Sequence, residues 1–353
     1  MAGLQRARLG GSGKPHAPAG LGVRCPRCGR CRRRAGRRAA PLACGPGGER
    51  SLRDAHHALV IACFGALPQA FEQQLQGLRR GAGLVLLVDN NPRPALAERL
   101  DPAATGPAGE GPEGFGALEI LWNGNRGGLA GGFNRGVERA RERGARWITL
   151  LDQDSTLPPG GLAALRRPWS LWPEGRWLVG PQVIDAQRRQ RHGRWQPYGQ
   201  EAEGLDCTRH LISSGTTFLA RDWPLLGPLH EGLFIDYLDH DWCFRAQARG
   251  FVLLQSRAVA LQQQFGRPHP NPLCRACGMQ LYSPLRHYHS LRNLRWLLRQ
   301  PHIPADLKAK ELLKMLLKPW CWLAFEPDRR TQARLLLRAL RAPLPGPAPG
   351  AAA

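Results

Sequence analysis

The chain has 353 residues, 50 of them Lys or Arg and 27 Asp or Glu, so its formal net charge is +23. No run of about 18 apolar residues occurs, which argues against a membrane-spanning helix, and the first residues lack the apolar core of a signal peptide. Ten cysteines are scattered along the sequence, several of them in apolar runs, which favours a reducing, cytoplasmic compartment.

Residues 1–55 form a basic extension that is rich in Arg, Gly and Pro and has little hydrophobic periodicity, so we expect it to be disordered. It contains four cysteines whose spacing could suit a zinc ion: Cys25, Cys28, Cys31 and Cys44. The alternative is an extension that binds no metal. The basic charge could attract nucleic acid, but this segment has no Phe, Tyr or Trp to stack on bases. We therefore expect no nucleic-acid partner.

Residues 56–270 alternate between apolar runs and amphipathic segments, as α/β domains do. The predicted strands are 58–64, 84–88, 118–121 and 147–151, and the predicted helices are 71–80 and 134–143. Continuously apolar strands separated by helices predict a mostly parallel central sheet flanked by helices. Ligands of such sheets bind beyond the carboxyl ends of the strands, where the polar motifs of this sequence lie.

Residues 271–342 are predicted to be helical, and residues 343–353 to be a disordered tail rich in Pro and Ala. Leucines alternate with lysines between residues 307 and 318, and Trp320 and Trp322 follow, a composition typical of helices that lie on a membrane surface. The alternative is a helix packed on the catalytic domain with a solvated basic face.

An acidic motif directly follows the predicted strand 147–151. Asp152 and Asp154 are two residues apart, so in extended chain both carboxylates point the same way and can reach one cation. One or two carboxylates and the phosphates of a substrate are the usual environment of Mg²⁺ in nucleotide enzymes. An acidic turn without a ligand is the alternative interpretation.

Three further segments could contribute to a site. The glycine-rich segment 123–134 follows a strand and opens a helix, where phosphate groups bind, although a flexible loop remains an alternative. Residues 211–216 form a turn whose hydroxyls could hold a sugar, or simply bond within the chain.

The segment 234–245 combines carboxylates with aromatic residues, a setting that raises the pKa of an acid towards that of a general base. The alternative is a purely structural role, in which these carboxylates only stabilise the N-terminus of a helix.

Six blocks of the sequence together resemble the bacterial rhamnosyltransferases of glycosyltransferase family 2. They occur in the order of that family: Asp89-Asn90, Asn125-x-Gly127-Gly128, Asp152-Gln153-Asp154-Ser155, Leu211-Ile212-Ser213-Ser214-Gly215, Phe234-Ile235-Asp236-Tyr237 with Asp239, Asp241 and Trp242, and Tyr282-Ser283-Pro284-Leu285-Arg286. The resemblance covers roughly residues 58–340. It implies a GT-A fold and an inverting transfer of L-rhamnose from dTDP-L-rhamnose to a surface-polysaccharide or lipid-linked acceptor, assisted by Mg²⁺ or Mn²⁺.

The resemblance also implies roles for individual residues. Asp239 would be the general base, and Asp154 would contact the metal and the diphosphate. Asp152 would contact the ribose and is, with Asp154, a candidate metal ligand. The remaining donor-binding candidates are Asp89, Asn125, Gly128 and Asn134, and the acceptor-binding candidates are Ser214, Gly215, Asp236, Asp241 and Trp242. Gln263 stands where the family often has a His, which leaves the third metal ligand open.

Two other functional classes compete with this interpretation. A sugar nucleotidyltransferase would use a similar sheet, but it needs a basic residue for a triphosphate in the first loop, and residues 63–66 contain none. A non-enzymatic nucleic-acid or membrane-binding protein would depend on the basic ends of the chain. The expected location is the cytoplasm, with a peripheral position on the cytoplasmic face of the inner membrane.

Overall fold

A computed structural model describes residues 54–100, 115–185, 190–191, 204–276 and 279–349. The N-terminal extension up to residue 53, with its cysteine cluster, lies outside the described residues, so neither the predicted disorder nor the zinc hypothesis is tested. The first strand begins at Asp54, slightly earlier than the sequence predicts.

The fold consists of one large sheet, a small two-stranded sheet and helices. The strands are β1 Asp54–Cys63, β2 Ala82–Asp89, β3 Ala117–Trp122, β4 Trp147–Asp152, β5 Ser155–Thr156, β6 Trp177–Asp185, β7 Gln190–Arg191, β8 Leu205–Thr208, β9 Thr217–Leu219, β10 Val252–Gln263, β11 Arg267–Pro268 and β12 Gln280–Leu281. The helices are α1 Phe71–Gly81, α2 Leu96–Arg99, α3 Gly128–Glu142, α4 Gly161–Leu165, α5 Arg167–Leu171, α6 Trp223–Leu226, α7 Leu238–Ala248, α8 Pro272–Ala276, α9 Pro284–Leu297, α10 Ala305–Phe325 and α11 Arg329–Arg341.

The long strands of the large sheet run in one direction. Their order is β3-β2-β1-β4-β9-β6-β10-β5, with β7 beside β6 and β8 beside β10. The pairs β2/β3, β1/β2, β1/β4 and β6/β10 are parallel, and the short strand β9 is antiparallel to both β4 and β6. The predicted α/β class with a mostly parallel central sheet is confirmed, as are the strands predicted at its start.

Alternating residues of β1 face opposite sides of the sheet, as the period of a strand requires. Val60 belongs to the core under α3, whereas Ile61 belongs to the core under α1. The C-terminal helices share the first of these cores, to which Trp296, Met315 and Trp322 contribute. The predicted helical region 271–342 is therefore packed on the same hydrophobic core as the sheet, rather than on a core of its own.

Two local expectations are wrong. The helix predicted at 134–143 begins at Gly128, because the glycine-rich segment is itself helical from there on. The predicted tail is ordered at residues 343–349: the carbonyl of Gly346 accepts hydrogen bonds from Trp296 Nε1 and from His230 Nε2, and Ala348 is buried. Buried ring N–H groups need such acceptors, which the Pro/Ala composition does not reveal. Residues 350–353 lie outside the described residues.

Candidate active site

The acidic residues converge at the carboxyl end of β4. The backbone N–H of Asp152 donates to Ser214 Oγ at 3.0 Å, and the backbone N–H of Ser213 donates to Asp239 Oδ1 at 3.0 Å. Two consecutive serines therefore connect the end of β4 with the first turn of α7. This bridge brings Asp152 and Asp239 to one place, although they are far apart in the sequence.

Asp152 is incompletely satisfied in this place. Its Oδ2 accepts a hydrogen bond from Gln263 Nε2 at 2.7 Å, whereas its Oδ1 is closed off from solvent and has no partner. Burial, followed by the charges of Asp154 and Asp239, raises the pKa of Asp152 to about 7. Burial also raises the pKa of Asp154. Both carboxylates would be stabilised by a positive charge placed between them.

Asp239 lies in the first turn of α7, half-buried beside this pair. Burial raises the pKa of Asp239 to about 6, although the hydrogen bonds from Ser213 act in the opposite direction. A carboxylate with this pKa is ionised at neutral pH and still accepts a proton readily. Such a balance suits a general base.

Arg286 is a site residue for which the sequence analysis predicted no role of its own. Helix α9 brings its guanidinium to Asp236, whose Oδ1 accepts a hydrogen bond at 2.9 Å, and Ser290 Oγ donates to the same carboxylate. The guanidinium lies over the ring of Tyr282 at 4.1 Å. Its charge lowers the pKa of Asp152, and likewise those of Asp154 and Asp239. The sequence pointed to Arg286 only through the block Tyr282-Ser283-Pro284-Leu285-Arg286, which resembles the rhamnosyltransferases.

The oxygen atoms at the end of β4 suit a divalent cation completed by substrate phosphates. In the described part of the chain, no three His, Cys, Asp or Glu side chains are grouped as ligands of a metal ion. However, Gln263 Oε1 and Asp152 Oδ1 are both buried acceptors without a donor. Two lone acceptors beside Asp154 match the hard oxygen donors that Mg²⁺ takes from proteins, which usually leave several positions for phosphate and water.

Two of the predicted donor-binding side chains are engaged within the protein. Asp89 is buried, and its oxygens accept hydrogen bonds from the backbone of Asn91, Ala95 and Leu96. Asn134 accepts from the backbone N–H of Leu229 and donates to the carbonyl of Leu229 and to Glu231. Each polar group of the Asn134 amide thus already has a partner within the protein, and its contact with a donor stays a prediction.

The glycine-rich segment forms a tight turn into α3. Asn125 has φ +56° and is half-buried, and Gly128 has φ +60°. A Cβ on Gly128 would lie 2.5 Å from the carbonyl oxygen of Phe234, so this position requires glycine. The turn packs against the start of the acidic segment that carries Asp239.

Most of the predicted acceptor-binding residues make contacts within the protein. Ser214 is fully buried, donates to Ser155 Oγ at 2.8 Å and supports the turn that carries Asp152, and Gly215 is buried beside it. Asp241 is fully buried between Arg245 and His302, and Trp242 donates from Nε1 to the carbonyl of Gly227 in the core. These groups face the interior of the protein, and the acceptor contacts predicted for Ser214, Gly215, Asp241 and Trp242 stay predictions. Asp236 is half-exposed and stays a prediction.

Comparison with known proteins identifies the class of enzyme. Residues 81–221 match the model of glycosyl transferase family 2, a segment that contains β2 to β9 and the acids at the end of β4. The dTDP-rhamnosyl transferase RfbF of Shigella flexneri is 27% identical over 211 residues, which are 57% of this chain and 69% of that protein. The chain is a glycosyltransferase with a family 2 domain. The resemblance to bacterial rhamnosyltransferases is confirmed, and the non-enzymatic alternative is set aside.

Among solved structures, GalNAc-T7 with UDP, GalNAc and Mn²⁺ is similar to 80% of this chain, with 12% identity and a TM-score of 0.48. This chain covers 58% of the length of that protein. The likeness is too low to carry an argument about ligands. The GT-A class of this glycosyltransferase follows from the family match together with its mostly parallel sheet. Within the described residues, the helices do not combine the length and the apolar composition that a membrane span requires.

Proposed function

We propose that this glycosyltransferase moves L-rhamnose from dTDP-L-rhamnose to a hydroxyl of a saccharide acceptor and inverts the anomeric centre. The observation that carries the proposal is the convergence of Asp152, Asp154 and Asp239 around one turn, with their pKa values raised by burial. Acids that are merely structural are normally paired or hydrogen-bonded when buried. Asp152 instead keeps one buried carboxylate oxygen, Oδ1, without a hydrogen-bond partner, which leaves it available to a ligand.

In the proposed step, Asp239 accepts the proton of the acceptor hydroxyl while that oxygen attacks the anomeric carbon. The new glycosidic bond forms on the face opposite the diphosphate, and the bond between the sugar and the diphosphate breaks with its electron pair on the leaving oxygen. A single displacement of this kind inverts the configuration. The pKa of about 6 keeps Asp239 ionised at neutral pH, as this role requires.

The donor side of the proposed site neutralises the leaving diphosphate. Asp154, Asp152 and the amide oxygen of Gln263 would hold Mg²⁺ or Mn²⁺ together with the donor phosphates. A bound divalent cation supplies a Lewis acid that stabilises the departing charge. Arg286 adds a guanidinium that is already held by Asp236, and a guanidinium of this kind recognises phosphate.

The proposed nucleotide pocket lies on the β1–β3 side of these acids, next to the turn that contains Asn125 and Gly128. Asp89 and Asn134 would act on the donor through the loops that they hold, because their polar atoms are occupied. Rhamnose as the sugar and dTDP as the nucleotide are supported by the named activity of the Shigella flexneri relative. We further propose that the enzyme works at the cytoplasmic face of the inner membrane, where a lipid-linked acceptor would be presented.

A donor panel tests this proposal. The purified full chain is incubated with dTDP-L-rhamnose, dTDP-glucose, UDP-glucose, UDP-N-acetylgalactosamine or GDP-mannose, each with Mg²⁺, Mn²⁺ or EDTA, and released nucleoside diphosphate is measured. The proposal predicts metal-dependent release from dTDP-L-rhamnose well above that from the other donors. Preference for another sugar nucleotide would contradict the donor assignment, and full activity in EDTA would contradict the metal role.

A further inference from the structure

Two segments face each other where the central sheet reverses the order of its strands. Strand β1 lies between β2 and β4, so the chain leaves β1 towards β2 on one side and later adds β4 on the other. In an open α/β sheet, ligands bind in the crevice beyond the carboxyl ends of the strands at such a point. The two walls of this crevice are residues 64–66, which follow β1, and residues 152–154, which begin at the end of β4.

Gln153 connects the two walls. Its Oε1 accepts a hydrogen bond from the backbone N–H of Phe64 at 2.8 Å, and its Nε2 donates to the carbonyls of Phe64 and Ala66 at 3.0 Å and 3.1 Å. Gln153 stands between Asp152 and Asp154 in the sequence. One half-buried side chain therefore uses both polar atoms of its amide to fix the opposite wall to the acidic motif.

Other side chains also hold the loop of residues 64–66. The backbone N–H of Gly65 donates to Asn91 Oδ1 at 2.9 Å, and the carbonyl of Gly65 accepts from Arg99 Nη1 at 2.8 Å. Within the described residues, Gln153 makes three of the five hydrogen bonds that side chains form with the backbone of this loop. Gly65 has φ +71°, and glycine reaches many other conformations as easily. These contacts therefore select one loop conformation out of several.

We propose that Gln153 is a positioning residue, which holds residues 64–66 in the conformation that receives the nucleoside part of the donor. The inference rests on the proposed transfer from a nucleotide sugar and gives a role to the residue between the two acids. The proposed cation and Arg286 take the diphosphate, which leaves this wall for the nucleoside. Phe64, with 56% of its side chain exposed, offers an aromatic surface there.

The expected effect of Gln153 is on binding rather than on the chemical step. A ligand that binds a single conformation loses apparent affinity in proportion to the fraction of protein in that conformation. Both polar atoms of the Gln153 amide bind the loop, so its effect on the nucleotide does not require the metal. A ligand of the cation, by contrast, acts only when the metal is present. Removal of the metal therefore distinguishes the two roles.

Binding of nucleoside diphosphates to the full chain tests the proposal. dTDP, UDP and GDP are titrated by calorimetry in Mg²⁺ or in EDTA, and the one that the wild type binds most tightly serves as the probe. The variant Gln153→Met keeps an unbranched side chain of similar length but loses all three hydrogen bonds. The matched control is Gln255→Met. Gln255 is also half-buried and donates to a backbone carbonyl, that of Pro181 at 3.2 Å, but it lies near the start of β10.

Gln153→Met should raise the Kd of the probe about tenfold in Mg²⁺ and in EDTA alike, the effect of a loop that is ordered about one tenth of the time. In the donor-hydrolysis assay, KM for the nucleotide sugar should rise by the same factor, with kcat within about twofold of the wild type. Hydrogen exchange of the Phe64 amide, whose acceptor is lost, should be roughly tenfold faster. The control should match the wild type in all three measurements.

An unchanged Kd in Gln153→Met overturns the proposal, and so does an equal change in Gln255→Met. A loss of affinity that disappears in EDTA overturns it too, because Gln153 would then act on the cation. A fall in kcat at constant KM, together with a lower midpoint of thermal unfolding, would show a general role in stability instead. If Gln153→Met does not fold, Gln153→Asn gives the same comparison, since its amide is one methylene too short to bridge the walls.

These outcomes are separate from a failure of the proposed function. Preference of the wild type for UDP or GDP would contradict the proposed dTDP-linked donor, whereas the comparison of Gln153→Met with the wild type would still support or overturn the role of Gln153. Binding of dTDP with equal affinity in the wild type and the variant would contradict only the positioning role. Binding of none of the three nucleotides would contradict both.

Discussion

Buried aspartates occur in two kinds of environment in this glycosyltransferase. Burial would raise the pKa of Asp89, but hydrogen bonds from the backbone of Ala95, Leu96 and Asn91 outweigh it and lower the value. At the end of β4, burial and neighbouring acids raise the pKa of Asp152 instead. Asp89 ends β2 and Asp152 ends β4, the two strands on either side of β1, and both were candidates for ligand contact in the sequence.

The same contrast recurs within helix α7. Burial would raise the pKa of Asp241 too, but the hydrogen bond from His302 and the charge of Arg245 lower it, whereas the pKa of Asp239 is raised to about 6. These acids are two residues apart and of one chemical type. The motif in which a buried carboxylate occurs does not determine its role. Its hydrogen-bond and ion-pair partners determine whether it stabilises the fold or can bind a ligand or accept a proton.

The largest effect is expected from Asp239→Asn. The amide keeps an oxygen for the Ser213 N–H but cannot take a proton, so kcat for transfer should fall by roughly 10²–10⁴-fold. Calorimetry should give an unchanged affinity for dTDP-L-rhamnose with Mg²⁺. Transfer at more than a tenth of the wild-type rate would remove Asp239 from the role of base.

On the structural side of the comparison, Asp241→Ala should lower the free energy of unfolding by about 3–5 kcal/mol, because it leaves Arg245 buried without its partner. Urea denaturation measures this difference. The donor affinity of the remaining folded protein should be unchanged. A stability loss below about 1 kcal/mol, the range of an exposed pair, would show that Asp241 does not belong to the structural class.

Asp154→Ala tests whether Asp154 belongs to the acids that bind a ligand, here the cation and the donor diphosphate. Removing one carboxylate from the proposed cation site should weaken the Mg²⁺-dependent affinity for dTDP-L-rhamnose by roughly 100-fold, since such interactions are worth several kcal/mol. Titration of the donor in Mg²⁺ and in EDTA gives the metal-dependent part of the affinity. Equal metal dependence in the variant and the wild type would place the cation elsewhere.

The smallest effect concerns pH. Because the pKa of Asp239 is raised to about 6, its ionised form is present above that pH and is lost below it. At saturating Mg²⁺, kcat should therefore fall about tenfold per pH unit below pH 6. If kcat instead began to fall only near pH 4, the ordinary pKa of an exposed aspartate, the catalytic base would not be a buried carboxyl group.

Local patterns in the sequence were sufficient for the sheet and for the acids at its edge. The apolar runs at 58–64 and 147–151 predict β1 and β4 because both strands are buried on both faces. An Asp-x-Asp motif after such a strand also predicts correctly that Asp152 lies at the carboxyl end of the sheet. These features depend on neighbouring residues only.

Partners from distant parts of the chain could not be predicted in this way. Asn134 is satisfied by Leu229, and Asp241 by His302, pairings that no local spacing encodes. The tail is ordered because Gly346 accepts hydrogen bonds from side chains that precede it by 50 residues or more. Arg286 reaches the acids from a helix whose position depends on packing of the whole C-terminal region.

The central claim is that a diphosphate held beside Asp154 brings the sugar to Asp239. A crystal structure of the Asp239→Asn variant with dTDP-L-rhamnose and Mg²⁺ tests this claim most directly. The account predicts the diphosphate next to Asp154 and Arg286, with the free face of the anomeric carbon open towards residue 239. A donor bound with its sugar turned away from residue 239, or with its diphosphate outside this acidic pocket, would contradict the account.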